Sequence, residues 1–280
     1  MTNLVIGSGY NLNWNQIAVW AKSLRASGYK DDAILVYFGH NSPLFQLLYD
    51  YDISVALFPD LNLAHNVCVD RFAAYHALLA SAPNKYDWVL ATDVTDVVFQ
   101  KDPMLHLAEV EQWQNGVVFY ASSENLTYEH EPWGQNNLIL SFGGETYSHM
   151  MGRTIYNAGV IAAKHSRMTD ISNLIWNMCV GRPQHVFGGG GPDQAAYNVL
   201  LNATTFHTYS AYATHDNGWV CQCGTTLDPN KPYYKDHMID PVPSFDGTNV
   251  VTSTGEPYHI VHQYNRVPAL KEHFERKYNV

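Results

Sequence analysis

Two aspartates lie close together where an apolar segment of the sequence meets a polar one. The run from Trp88 to Ala91 predicts a short buried strand, and Asp93 and Asp96 follow it before apolar residues resume at Val97. Burying a carboxylate is unfavourable unless it is paired, hydrogen-bonded or bound to a metal ion, and burying two neighbours is worse. A divalent cation that also binds a phosphate-bearing ligand would remove that penalty. The pattern therefore points to a metal–phosphate site.

A guanidinium is a good clamp for a diphosphate, and Arg71 is placed to serve as one. It falls on a helix predicted over residues 68–81, which leads the chain towards Asp93. A surface ion pair with Asp70 or Asp87 is the alternative, and the sequence favours neither interpretation.

The first predicted strand, residues 4–6, leads into a predicted turn formed by Gly7, Ser8, Gly9 and Tyr10. Ligands of parallel α/β sheets bind at the carboxyl ends of strands, where Tyr10 could stack on a base or a sugar. The turn lacks the third glycine of a dinucleotide-binding fingerprint and the Lys-Ser/Thr of a P-loop.

Further polar residues begin or end predicted elements later in the chain. Asn157 lies in a strand predicted over residues 156–163, and Asp193 and Gln194 open a helix that follows Gly188–Gly191 and Pro192. His262 lies in a strand predicted over residues 258–264. Capping of a helix or strand explains the first three residues separately, and a lone histidine is usually structural.

The elements that must position these residues alternate between strand and helix. A helix that starts after Asn13 and ends at Gly28 is followed by a strand (33–38), a helix (43–51) and a strand (53–58). This order predicts a doubly wound α/β domain with a mostly parallel sheet. After Pro103 the pattern is less regular, residues 124–141 are predicted to form a polar loop, and a helix over 269–278 closes the chain.

The composition limits the partners and the compartment. The 280 residues carry a formal net charge of −10, which argues against nucleic acid because phosphate backbones require a basic face. The N-terminus lacks the features of a signal peptide, and no apolar run is long enough to span a membrane. The four cysteines are typical of free thiols in a reducing compartment. We therefore expect a cytoplasmic protein.

Several enzyme classes fit the motifs poorly. Haloacid-dehalogenase-type phosphatases place their two aspartates two positions apart, whereas Asp93 and Asp96 are three apart. Sugar-1-phosphate nucleotidyltransferases need a basic N-terminal loop, and the turn at Gly7 has no Lys or Arg. The His-Glu-x-x-His motif of metalloproteases does not occur.

The order of these motifs resembles the GT-A nucleotide-sugar glycosyltransferases, in particular retaining enzymes of the galactosyltransferase/glycogenin type. The segment from Asp93 to Asp96 is similar to their Asp-x-Asp motif with one additional residue. Asn157-Ala158-Gly159 and Pro192-Asp193-Gln194 resemble their acceptor and donor-sugar segments, and His262-Gln263-Tyr264-Asn265-Arg266 resembles their C-terminal histidine segment. The same fold occurs in a chlorovirus glycosyltransferase domain, which the chain also resembles.

The resemblance implies a GT-A fold over residues 1–280. This is a Rossmann-like, mostly parallel central sheet flanked by helices, with a nucleotide-binding half (1–103) and a smaller mixed-sheet acceptor half (104–280). It implies transfer of a sugar from a nucleoside diphosphate sugar, with UDP the usual nucleotide, to a hydroxyl of an oligosaccharide or other glycan acceptor with retention of configuration.

The resemblance also implies roles for individual residues. Mn²⁺ or Mg²⁺ would be held by Asp96, His262 and Asp93, although Asp93 could instead bind the ribose hydroxyls. Gly7, Ser8, Gly9, Tyr10 and Arg71 would complete the donor-nucleotide site. Asn157, Asp193 and Gln194 would hold the transferred sugar and the acceptor hydroxyl, and Asp193 is the candidate base if the enzyme inverts.

Two other functions stay open. A protein that binds nucleotides or carbohydrates without catalysis could use the same scaffold, and a hydrolase could use the paired carboxylates without a metal. Metal-dependent binding of UDP and turnover of a donor would discriminate among the three.

Overall fold

A computed structural model describes residues 2–59, 66–114, 116–185, 189–202, 206 and 210–280. The strands are β1 (Thr2–Tyr10), β2 (Asp32–Phe38), β3 (Ile53–Phe58), β4 (Tyr86–Thr92), β5 (Val97–Phe99), β6 (Phe119–Thr127), β7 (Thr154–Lys164), β8 (Ser210–Ala213), β9 (Val220–Gln222), β10 (Ser244–Phe245), β11 (Val250–Val251) and β12 (Ile260–His262). The α-helices are α1 (Trp14–Ala26), α2 (Ser42–Tyr49), α3 (Val67–Ala80), α4 (Pro103–Trp113), α5 (Pro132–Phe142), α6 (Gly144–Met150), α7 (His165–Cys179), α8 (Asp193–Leu201), α9 (Cys223–Thr226) and α10 (Pro268–Lys277).

A seven-stranded sheet in the order β3-β2-β1-β4-β7-β6-β8 forms the centre of the described structure. Neighbouring strands run parallel, except that β7 is antiparallel to both β4 and β6. Alternate residues of β1 enter two cores. Val5 packs with α1 and α2 on one face, and Leu4 and Ile6 pack with α3 and α7 on the other. The predicted mostly parallel sheet between two helical layers is confirmed.

A second sheet, in the order β5-β12-β9, lies beside the first. Strand β12 is antiparallel to β5 and parallel to β9. Asp96 directly precedes β5, whereas β12 and β9 end at His262 and Gln222. These three residues therefore lie at the same end of the three strands. The register pairs His262 with both Val97 and Gln222.

Two predictions about local structure were wrong. The residues Gly7 to Tyr10 are not a turn, because β1 continues through Tyr10 and pairs with β2 along this whole segment. A side chain on Gly7 would collide with Val94, so the glycine here allows close packing within a strand. Residues 124–141 are not a loop either, since β6 continues to Thr127 and α5 begins at Pro132.

The predicted first helix is confirmed in detail. The Asn13 side chain accepts a hydrogen bond from the Gln16 backbone, and the Gln16 side chain accepts one from the Asn13 backbone, which together form a capping box. The closing helix is confirmed as α10. Throughout the described ranges, each helix is too short or too polar to traverse a lipid bilayer.

Candidate active site

The carboxyl end of β4 places Asp93 beside β7. The last residue pair of the β4–β7 ladder is Thr92 with Val160, and the Asp93 backbone N–H then donates to the Gly159 carbonyl at 2.7 Å. The Asp93 side chain is 35% exposed and therefore open to a ligand. The Asp93 side chain is not enclosed by the sheet because the buried strand β4 ends one residue earlier, at Thr92.

Asp93, Asp96 and His262 form a cluster whose ligand atoms all lie within 4.8 Å of one another. The Nε2 atom of His262 is 3.4 Å from an Asp93 oxygen and 3.6 Å from Asp96 Oδ1. Asp96 Oδ1 and His262 Nε2 are buried and have no hydrogen-bond partner among the described residues. Buried polar atoms without partners are rare in folded proteins, and these two atoms, together with an oxygen of Asp93, could hold a cation.

Gly159 is the residue that lets this cluster form. A Cβ atom at this position would lie 2.5 Å from His262 Cε1, 2.8 Å from Asn157 Oδ1 and 2.9 Å from Asp93 Oδ2. Real Cβ atoms do not approach other atoms so closely, so a side chain here would displace at least one of the three groups. The glycine of the Asn-Ala-Gly segment thus leaves room for the side chains of the acidic cluster.

His262, and not His259, joins the two aspartates. His259 Nδ1 hydrogen-bonds the Asp102 carbonyl at 2.7 Å, at the opposite end of β12. Of the two histidines beside β12, only His262 therefore belongs to the cluster.

Arg71 is buried and bridges two carboxylates. Its Nη1 donates to Asp93, and its Nη2 donates to Asp193 at 3.0 Å. The remaining bonds go to the carbonyls of Cys68 and Ala158, both at 3.1 Å. The alternative of a surface ion pair for Arg71 was wrong, since the residue is 6% exposed.

Charges in this cluster shift one another's protonation. The partial burial of Asp93 would raise its pKa, but Arg71 and His262 outweigh this effect and hold that pKa well below its ordinary value. Burial alone would lower the pKa of His262, but Asp96 and Asp93 raise it to about 10. Burial raises the pKa of Asp193 despite the opposing effect of Arg71.

Glu124, which the sequence did not single out, connects the two predicted amide residues. Its Oε1 accepts from Asn157 Nδ2 at 2.6 Å and from Gln194 Nε2 at 3.1 Å. The amide oxygens of Asn157 and Gln194 accept from the backbone N–H groups of Gly159 and Ala158. Burial, followed by the charge of Glu131, raises the pKa of Glu124 to about 7.

These side chains surround one cavity of about 570 Å³. Seven of the residues predicted from the sequence line it: Arg71, Asp93, Asp96, Asn157, Asp193, Gln194 and His262. It is also lined by residues that the sequence did not point to, among them Glu124, Glu131, Trp133, Lys231, Tyr233 and Tyr234. Arg266, which was noted only as part of the histidine segment, lines it too.

The N-terminal candidates lie apart from this cavity. Gly7, Ser8, Gly9 and Tyr10 are absent from its lining among the described residues, and Tyr10 is 43% exposed at the carboxyl end of β1. Strand β1 nevertheless neighbours β4, and Gly7 is paired with Thr92, the residue before Asp93. A ligand that occupies the cavity and also contacts these four residues must therefore extend beyond it.

Side chains hold the described part of the glycine-rich segment before α8. The carbonyls of Gly189, Gly190 and Gly191 accept from Trp133, Asn66 and Asn137 in that order. Gly189 and Gly190 have φ angles of 96° and 81°, which favour glycine. Gly188 lies outside the described residues.

The fold is similar to solved glycosyltransferase structures. A galactosyltransferase, LgtC, in complex with donor and acceptor sugar analogues matches with a TM-score of 0.52 and 15% identity over 92% of this chain and 86% of that one. Mouse xyloside xylosyltransferase 1 in its apo form matches with a TM-score of 0.55 and 12% identity over 94% and 98%. The glycosyltransferase GlyE of Streptococcus pneumoniae TIGR4 matches with 0.54 and 17% over 93% and 54%.

No protein-family model and no curated protein sequence matches the chain. The structural likeness shows the fold, which is the GT-A fold of these glycosyltransferases, as the sequence predicted.

Proposed function

We propose that the protein is a metal-dependent glycosyltransferase that moves a sugar from a UDP-sugar to a hydroxyl of a glycan acceptor. The observation that carries the proposal is the meeting of Asp93, Asp96 and His262 at the edge of a 570 Å³ cavity. The GT-A fold supports it as an analogy. In this proposal residues 1–103 contribute mainly to the nucleotide site, and residues 104–280 contribute mainly to the acceptor site.

The chemistry of the donor set fits a divalent ion. Two carboxylates and an imidazole are ligands that Mn²⁺ accepts more readily than Ca²⁺ does, and Mg²⁺ is the second choice. Asp96 Oδ1 and His262 Nε2 would gain the partner that they lack among the described residues. When bound, the ion would supply Lewis-acid stabilisation of the charge on the departing diphosphate.

Arg266 is better placed than Arg71 to contact the diphosphate directly. The donor groups of Arg71 already bind Asp93, Asp193 and two carbonyls. Arg266 lines the cavity four residues after His262 and makes no ion pair with another described residue. We therefore assign Arg71 to holding the two aspartates and Arg266 to binding phosphate oxygens. In this proposal the nucleotide end of the donor is bound by Gly7, Ser8, Gly9 and Tyr10.

Asn157, Gln194 and Glu124 form the proposed sugar-binding wall. Each amide has an N–H that is not used in the bonds to Glu124, and Glu124 Oε2 accepts no hydrogen bond from a described residue. These groups can bind hydroxyls of the transferred sugar. Their shared hydrogen bonds hold them in place before the sugar arrives, so little reorganisation is needed.

Retention of configuration is part of the proposal. An inverting enzyme needs a carboxylate that is free to take the proton of the acceptor hydroxyl. Asp193 was the candidate, but Arg71 holds its Oδ2 at 3.0 Å, and we assign Glu124 to binding the transferred sugar and not to taking this proton. An NMR assignment of the anomer formed first in the product tests this part separately.

Calorimetry of UDP binding with Mn²⁺ and with EDTA tests the proposal. We expect binding with Mn²⁺ and little binding without it, and Mn²⁺-dependent hydrolysis or transfer from at least one sugar donor in a panel of UDP-glucose, UDP-galactose and nucleotide-linked rhamnose. The variant His262→Ala should lose this activity but keep its fold, as judged by circular dichroism. His149→Ala, a change at an exposed position on α6, is the matched control.

The alternatives predict different results. Binding of UDP without turnover of any donor would favour a non-catalytic binding protein. Metal-independent hydrolysis of glycosides would favour a hydrolase. Absence of UDP binding in both conditions, or full activity in His262→Ala, would contradict the proposal.

A further inference from the structure

A buried chain of hydrogen bonds runs from the backbone of β7 to the imidazole of His262. The Ser122 hydroxyl donates to the Val160 carbonyl at 3.4 Å, and the Gln222 amide donates to Ser122 Oγ at 3.0 Å. The Gln222 Oε1 lies 2.7 Å from His262 Nδ1. Ser122, Gln222 and His262 are each at most 1% exposed, so these hydrogen bonds are shielded from bulk water.

The Val160 carbonyl fixes which group donates and which accepts in each of these hydrogen bonds. A backbone carbonyl can only accept, so the Ser122 hydroxyl hydrogen points to Val160 and its oxygen must accept from Gln222 Nε2. The Gln222 amide then has its oxygen towards His262, because its nitrogen faces Ser122. An amide oxygen can only accept, and Nδ1 of His262 therefore carries a hydrogen.

The position of the glutamine is fixed as well. Its backbone N–H donates to His215 Nε2 at 3.0 Å, and its Cα is the register partner of His262 in the parallel β9–β12 ladder. Adjacent residues in parallel strands present their side chains on the same face of the sheet. The glutamine thus lies next to the imidazole because of the sheet and is held by bonds at both its backbone and its amide.

We propose that Ser122 and Gln222 are positioning residues that aim His262 Nε2 at the space shared with Asp93 and Asp96. With Nδ1 occupied by Gln222, Nε2 is the nitrogen left to bind a cation, and the ring cannot turn without breaking a buried bond. Outer partners of this kind orient metal-binding histidines and raise their basicity. The inference rests on the metal site of the proposed function and assigns to it two residues on β6 and β9.

Measurement of Mn²⁺ affinity tests the role of Gln222. Free Mn²⁺ is monitored by electron paramagnetic resonance during titration of the full chain, with and without UDP. Gln222→Met removes the acceptor and should weaken binding by about 10- to 100-fold, the usual effect of losing such a partner. Gln222→Glu keeps an acceptor oxygen, and the Ser122 hydroxyl can turn to donate to it, so affinity should return to within about threefold of the parent.

Two further variants separate positioning from general stability. Gln100→Met is the control, because Gln100 makes three bonds to the backbone of Val250 and Tyr258 outside the cavity. It should lose stability in thermal melts but keep its Mn²⁺ affinity. Ser122→Ala frees the Gln222 amide to flip and should weaken Mn²⁺ binding by a few-fold, so it decides the matter if Gln222→Met does not fold.

The outcomes are distinct. Unchanged affinity in both Gln222→Met and Ser122→Ala overturns the positioning role while leaving the proposed function intact. Equal weakening in the Met and Glu variants of Gln222 also overturns it, since the acceptor would then be irrelevant. A parent protein that binds no Mn²⁺ with or without UDP overturns the metal site of the proposed function, and the positioning role with it.

Discussion

At the scale of single residues, Glu124 is a carboxylate that the fold holds away from water. Its burial and the nearby Glu131 raise its pKa from 4.5 to about 7. Two amide donors reduce this effect without cancelling it. We therefore expect the group to affect the free energy of unfolding as well as the proposed sugar-binding wall.

Glu124→Gln should alter the pH dependence of stability. Between pH 4.5 and pH 7 the folded chain retains a proton at Glu124 that the unfolded chain has lost, so stability falls as pH rises through this window. A change of pKa from 4.5 to about 7 corresponds to about 3 kcal/mol at most above pH 7. Glutamine still accepts from both amides and does not ionise. Urea unfolding at pH 5 and pH 8 should show a smaller decrease for the variant, and an equal decrease would contradict the assignment.

Gly159→Ala tests whether the acidic cluster requires a residue without a side chain at position 159. The new methyl group would meet His262 Cε1 and oxygens of Asn157 and Asp93 at 2.5 to 2.9 Å. Overpacking of this kind destabilises by about 1 to 3 kcal/mol. The displaced ligands should also weaken Mn²⁺-dependent UDP binding in calorimetry by at least about tenfold, which corresponds to about 1.4 kcal/mol.

The control for this prediction is Gly144→Ala at the start of α6. A Cβ atom there would meet nothing within 4 Å, so stability should stay equal or rise by up to about 1 kcal/mol. UDP binding should not change. If both alanine variants bind UDP like the parent, the space around Gly159 is not required.

At the scale of elements, the N-terminus of α3 and the glycine-rich segment depend on one side chain. Asn66 Oδ1 accepts from the Cys68 backbone and caps α3. Its Nδ2 donates to the carbonyls of Gln184 and Gly190, at 2.6 Å and 3.2 Å. Because Cys68 and Gly190 both line the cavity, this asparagine connects two sides of its wall.

Asn66→Ala should therefore affect stability and donor binding together. Loss of a helix cap costs about 1 kcal/mol, and the glycine carbonyls lose a partner as well. We expect weaker binding of UDP with Mn²⁺, measured by calorimetry alongside thermal melts. Asn13→Ala removes the cap of α1 at the surface and should lower stability by a similar amount without weakening UDP binding. Parallel behaviour of the two variants would argue against a link between Asn66 and the site.

The elements also explain what could be predicted from the sequence. Continuous apolar runs such as 33–38 predict buried parallel strands, and the acids after β4 lie at a strand end where ligands bind. Both signals are local, and the structure has the strand at β2 and the two acids after the end of β4. The prediction of His262 depended on resemblance, because nothing local to that residue shows which distant strand it joins.

Glu124 had no local signal. The pairing of β6 with β7 shifts register between Ala121 and Ser123. Ala121 pairs with Ile161, whereas Ser123, two residues later, pairs with Tyr156. Such irregularities re-aim side chains and depend on the neighbouring strand. The extension of β1 through Tyr10 was missed for a similar reason: glycines predict turns unless distant residues such as Val94 need the space.

At the scale of the whole molecule, net charge sets the conditions for binding an anion. The chain carries a formal net charge of −10, and the cavity itself contains Asp93, Asp96, Asp193, Glu124 and Glu131. Arg71 already neutralises part of this charge. Within a screening length of about 8 Å, these carboxylates oppose a diphosphate unless a cation is added.

Thermal melts should therefore show that UDP and Mn²⁺ stabilise the protein only together. At 100 times its dissociation constant, a ligand contributes about 2.7 kcal/mol, which shifts the midpoint of a 280-residue domain by roughly 5 °C. UDP with EDTA should leave the midpoint within about 1 °C, because the acidic cavity then repels the diphosphate. Arg266→Ala should reduce the joint shift. Arg167→Ala, an exposed change on α7, should preserve it. A full shift with UDP and EDTA would show that the acidic cluster does not require a metal to bind the nucleotide.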